Sequence, residues 1–195
     1  MATATNVTAA KPAVGGAVYL APIGTTLPTD ATTELSSDYT CMGYISDSGL
    51  TNGSTLNTEQ KKAWGGDVVI VINQGRDDEF TFTLIEGLNV DVLKFVFGED
   101  NVEGDLESGI TVNVNSNDLD EYVMVVDMIM RNNCLKRICV PDAAISSVGE
   151  VAYTDSDIAG YEVTVTAIAD EAGNKHYEYL SSETTTETTD ETTEE

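Results

Sequence analysis

The chain has 195 residues, enough for one domain that buries roughly two thirds of its unfolded surface without a metal or disulfide staple. Nine Lys and Arg stand against 34 Asp and Glu, a formal net charge of −25, which argues against any binding mode built on neutralising phosphates. Six of the acids lie in residues 181–195, so most of the excess belongs to the rest of the chain. Cys41, Cys134 and Cys139 make an odd count with no framework spacing, which points to reduced thiols packed in or near the core. On one extended strand Cys134 and Cys139 would stand roughly 16 Å apart on opposite faces, beyond disulfide reach. The first twenty residues show no basic segment followed by an apolar run, and no segment approaches the ~20 apolar residues of a membrane span. A soluble, unprocessed protein is expected. The sequons at Asn6 and Asn52 match the glycosylation pattern without an export signal beside them.

Residues 1–15 are rich in Ala, Thr, Pro and Gly without a period, as in a flexible or partner-ordered arm. Gly16 to Ala21 reads as a short strand, Pro22 to Asp38 as a loop, and Tyr39 to Ser46 as a strand. Residues 47–66 have no clear period, and their length marks a functional or disordered loop, or a long hairpin bent outward. Asp67 to Asn73 is an almost unbroken β-branched run, expected of a central strand covered on both faces. Asp78 to Glu86 alternates, with Phe80, Phe82 and Leu84 on one face and Glu79, Thr81 and Thr83 on the other. Asn89 to Phe97 fits a short helix with Asn89 as N-cap and Gly98 as its stop.

An acidic loop, Glu99 to Glu107, leads to a strand at Ile110 to Val114. In Glu121 to Pro141, Asn132-Asn133 suits a two-residue hairpin turn, pairing Met130 with Leu135 and Ile129 with Lys136. Strands at Gly149 to Thr154, Gly160 to Ala169 and Lys175 to Leu180 complete the set, the second with Glu162, Thr164 and Thr166 alternating against Val163, Val165 and Ala167. Ala172-Gly173-Asn174 supplies the last turn. About nine short strands and one helix make the fold mainly β, a sandwich or partly open barrel. The division expected is an arm over 1–15, a β domain over 16–180 with its long loop at 47–66, and a disordered acidic tail over 181–195.

Signatures of chemistry are scarce. No P-loop, GxGxxG, GxSxG or HExxH string is present, and His176 has no Cys or second His near it. Asn113 to Asp120 alternates oxygen ligands, but Asp118 and Met124 occupy the positions where a calcium loop needs Gly and Glu. The acids of the 99–107 loop read as a solvated surface or a weak calcium site. No catalytic, cofactor-binding or metal residues are assigned. Trp64, between Lys61-Lys62 and Gly65-Gly66, is either an interface anchor or a tryptophan folded back on its own core.

The order of these elements is distinctive: Gly49-Leu50, then Trp64-Gly65-Gly66, the strand Phe80 to Glu86, Val92 to Gly98, and the hairpin ending in Val140-Pro141-Asp142. Over residues 16–180 it resembles the tail tube proteins of long, non-contractile-tailed bacteriophages, though it ends in SSETTTETTDETTEE where some relatives carry an immunoglobulin-like domain. The resemblance implies two packed antiparallel sheets flanked by a helix, and a non-enzymatic structural subunit without cofactor. It implies homohexameric rings stacked into a hollow tube, assembled in the host cytoplasm. A tape measure protein would lie inside, terminator and tail-tip proteins at the ends, and DNA would pass only in transit, with no membrane partner.

On that reading Leu50, Asn52, Lys61, Lys62 and Trp64 are the candidate assembly residues, and ring closure protects strand edges that are otherwise an aggregation hazard. Polar faces bearing Glu79, Thr81 and Thr83, and Glu162, Thr164 and Thr166, are candidates for an acidic lumen that repels phosphate. The plainer alternative turns them outward to bulk solvent, with the acids keeping the subunit soluble. A competing reading is a secreted or cell-surface acidic β-sandwich adhesin, suggested by the Thr-rich end.

Overall fold

The computed structural model describes residues 2–13 and 15–182; the acidic tail expected over 181–195 lies outside it from residue 183 onward. The chain is mainly β, with eleven strands and one α-helix among the described residues. The strands are β1 (Lys11–Pro12), β2 (Val18–Pro22), β3 (Thr40–Cys41), β4 (Ile45–Lys62), β5 (Val68–Leu84), β6 (Val102–Glu103), β7 (Thr111–Val112), β8 (Tyr122–Ile129), β9 (Cys134–Val148), β10 (Tyr161–Ile168) and β11 (Tyr177–Ser182), and the helix is α1 (Val90–Phe97). Nine strands form one antiparallel sheet in the order β3-β2-β8-β9-β10-β5-β4, with β1 added to β8 and β11 to β9; β6 and β7 make a small second sheet, and no barrel closes.

The core lies on one side of this sheet. Val18 and Leu20, Phe80, Phe82 and Leu84, Met124 and Val126, Ile138 and Val140, and Val163, Val165 and Ala167 share one cluster, closed by Val92, Phe95 and Val96 of α1. The alternation read from residues 78–86 and 160–169 therefore marks the buried face correctly. The helix is capped as its residues dictate: Asn89 Oδ1 accepts the Asp91 N–H at 3.0 Å, and Gly98, at φ 98°, donates its N–H to the Lys94 carbonyl at 2.8 Å.

The strands covered on both faces are β8 and, over Arg137 to Val140, β9, not Asp67 to Asn73. Val123, Met124, Val125 and Val126 are all buried. Their outer side lies under the loop between β2 and β3, which Arg137 pins down. Its guanidinium donates to both Asp127 oxygens at 2.7 and 2.8 Å and to the carbonyls of Asp30 and Thr33 at 3.2 and 2.7 Å. The Asp127 carboxylate holds the Arg137 pKa above its ordinary value.

That pair also corrects the hairpin register. Ile129 faces Leu135 and Met128 faces Lys136, one residue from the expected pairing. The turn takes in Arg131 as well as Asn132 and Asn133, both at positive φ (60° and 54°), and Met130 N–H closes it on the Cys134 carbonyl at 2.7 Å. A one-residue slip exchanges the faces of a strand, and the observed register is the one that sets Asp127 opposite Arg137. The strand expected at Gly149 to Thr154 is absent: β9 ends at Val148, and the Gly149 N–H caps the Glu162 carbonyl at 2.7 Å. The strand expected over residues 110–114 shrinks to β7, and β11 reaches Ser182, so residues 181–182 belong to a strand.

Candidate assembly surface

Strands β4 and β5 make one hairpin whose root is in the body and whose far end is not. Near the root Leu50 pairs with Phe82 and Thr51 with Thr81, and Leu50 and Ile45 pack on the core. Pairing then continues through Ser54 opposite Asp78 and Thr58 opposite Asn73 to Lys62 opposite Val68. Every residue from 58 to 77 is exposed. Trp64 lies twelve positions beyond Asn52, a reach of roughly 40 Å at strand rise. Residues 47–66 are thus not an irregular loop but, as the outward-hairpin alternative has it, the root, first limb and tip of an outward arm, and residues 68–77 are the other limb.

The second limb is apolar along its outer part. Val68, Val69, Ile70, Val71 and Ile72 are exposed, Val69 at 64%, although a monomer gains nothing by leaving such a contiguous apolar surface in water. Their partners in the first limb, Glu59 to Lys62, are polar or charged. At the tip Gly65 and Gly66 take φ 115° and 100°, Gly66 N–H bonds the Ala63 carbonyl at 3.0 Å, and Ala63 N–H bonds Asp67 at 2.8 Å. Trp64 is fully exposed there, so it does not fold back on its own core.

Of the candidate assembly residues, Lys62 and Trp64 stand free at the tip, and Lys61 pairs with Glu59 within the arm. Leu50 is half-buried against the core, and Asn52 donates to Asp78 Oδ1 at 3.0 Å and to the Glu79 carbonyl at 3.1 Å. These two brace the root. Val68 to Ile72 is the surface that sequence reasoning placed inside; its one outward signal was the polar strand on the opposite limb.

The two polar rows come together. Glu79 faces Thr166, Thr81 faces Thr164 and Thr83 faces Glu162 across the β5–β10 ladder, and the Thr81 and Thr164 hydroxyls are 3.1 Å apart. On the flanks Thr51 of β4 faces Thr81 and Ser147 of β9 faces Thr164. Behind them Phe80, Phe82, Leu84, Val163, Val165 and Ala167 are fully buried. One continuous face of hydroxyls and carboxylates therefore backs directly onto the core.

The N-terminal segment lies along the opposite part of the sheet. Lys11 and Pro12 pair with Ile129 and Met128, Thr8 Oγ1 accepts the Arg131 N–H at 2.8 Å, and Arg131 Nη1 donates to the Ala4 carbonyl at 3.1 Å. Described residues 2–12 are exposed.

A comparison with curated proteins returns no match. The family model described as phage tail tube protein matches residues 3–191, taking in the sheet, the arm and the polar face. A body with its own core, an outward apolar arm and this match lead to one conclusion: the chain belongs to the phage tail tube protein family, and it is a structural component of the virion tail.

Proposed function

We propose that the chain is the tube subunit of a long, non-contractile tail, closing into hexameric rings that stack into the conduit through which DNA is ejected. The observation that carries this is the arm: roughly 40 Å of paired strand, apolar along one limb and bare of its own body, is an element whose buried state exists only in an assembly. Residues 47–66, with Lys61, Lys62 and Trp64 at or near the tip, supply inter-subunit or inter-ring contact. Residues 1–15 act as a second arm beside the body, which runs through β11 to Ser182.

The polar face of β5 and β10 lines the lumen, where Glu79 and Glu162 repel phosphate and let DNA pass without binding. The tape measure protein occupies that lumen during assembly in the host cytoplasm, and terminator and tail-tip proteins close the ends. Electron microscopy of the purified subunit tests the reading. Six-fold rings or hollow tubes are the expected result, and a monodisperse monomer at all concentrations and salt conditions would overturn it.

A further inference from the structure

Two charged side chains are buried among the described residues, Arg137 and Asp78. Arg137 holds the β2–β3 loop; Asp78 has no such duty in the body. It lies on the core side of β5 next to Phe80, at the point where the strand leaves the body, and the ten residues before it are exposed. A buried carboxylate persists only if it is hydrogen-bonded. Its Oδ1 accepts from Asn52 Nδ2 at 3.0 Å, and its Oδ2 is bonded to His176 Nδ1. Both limbs of the arm and the residue leading into β11 thus meet at one carboxylate.

His176 is itself held in place. Its ring stands edge-on to Phe80 with centroids 5.5 Å apart, and Nε2 is 3.9 Å from Glu178 Oε1, which pairs with Lys136 Nζ at 2.8 Å. We propose that Asp78, His176 and Asn52 form a latch that sets the direction in which the arm leaves the body and ties it to the edge strand β11. This rests on the reading of the arm as an assembly element.

The reasoning is mechanical. Strand β10 supports β5 only from Glu79 to Leu84, so the arm is a cantilever beyond that line. A deflection of about 10° at the root moves a tip roughly 40 Å away by roughly 7 Å, enough to miss a docking surface. Apolar packing at position 78 would fill the space without fixing an angle, because it is non-directional; a carboxylate with oriented donors on two elements fixes one. Strand β11 pairs on one side only, with β9. Whatever peels β11 away also withdraws His176 and frees the arm.

Trp64 is the chain's single tryptophan, so its time-resolved fluorescence anisotropy reads arm motion without labelling. The variants are His176→Leu, which removes the bond; His176→Asn, which keeps a donor near the Nδ1 position; and Asp78→Leu with His176→Leu, which leaves no buried charge unpaired. Both leucine variants should melt cooperatively, show faster Trp64 depolarisation as monomers, and elongate seeded tubes about tenfold more slowly, as lost preorganisation predicts. His176→Asn should restore both readouts. Unchanged anisotropy and elongation in the double variant would overturn the latch, as would a double variant that no longer folds, since the cluster would then serve the body. Failure of the wild-type chain to elongate would count against the tube reading alone, because the anisotropy comparison still decides the latch.

Discussion

Arg137 and Cys139 lie on the outer face of β9 under the β2–β3 loop, and each has a measurable consequence. Arg137→Leu should cost about 3 kcal/mol in thermal unfolding, because it leaves Asp127 without its partner and two loop carbonyls without a donor. Replacing Asp127 by Leu as well should recover much of that loss. Burial pushes the Cys139 thiol up to about 12, against a weaker opposing pull from Arg137, so at neutral pH it is an inaccessible, protonated thiol. Maleimide treatment of the native protein, read by mass spectrometry, should modify half-buried Cys41 and Cys134 and spare Cys139. In the same loop, donors from Thr33 and Thr32 hold the Asp30 carboxyl well below the usual carboxylate range. A depressed folded-state pKa gives stability that is present above the unfolded value and lost as pH falls through the folded one. The amide signals of Thr32 and Thr33 should accordingly keep their native shifts until strong acid.

At the scale of elements, the arm is separable from the body. Replacing residues 55–77 with Asn-Gly joins Ser54 to Asp78, which already face each other, in a turn suited to a two-residue hairpin. Almost all the residues removed are exposed, so the melting temperature should move by only a few degrees while tube elongation is lost; normal tubes from this variant would show the arm to be dispensable. The same division explains what was legible in the sequence. Phe80, Phe82, Leu84, Val163 and Val165 were readable as core because their alternation is answered within the chain. The α1 boundaries were readable because Asn89 and Gly98 act locally. Val68 to Ile72 was misplaced because a β-branched run specifies a strand without specifying what covers it. That Leu50 and Asn52 lie at the hairpin's root was not legible, because nothing local reveals where the hairpin leaves the body. The hairpin register rests on the cross-strand pairing of Asp127 with Arg137, which a turn rule does not contain.

For the whole molecule, the charge of −25 makes subunits repel one another, and the placement of the carboxylates decides what that repulsion does. Replacing Glu79 and Glu162 by Lys alters two exposed positions and should leave folding and assembly largely intact. In a tube it would convert a wall that repels phosphate into one that holds it, so virions should eject DNA slowly, with the defect relieved by added salt. Unchanged ejection kinetics would place the β5–β10 face outside the channel. The arm carries a different implication, one of inheritance. Residues 58–77 stand clear of their own body, so in a tube where a neighbour receives them their evolution would be constrained mainly by that neighbour's surface, and only β4 and β5 near their roots answer to the core. Two lineages of such a tube could keep nearly the same body and still drift into mutual incompatibility through the arm and its receiving surface, and subunits from a doubly infected cell would then sort into separate tails.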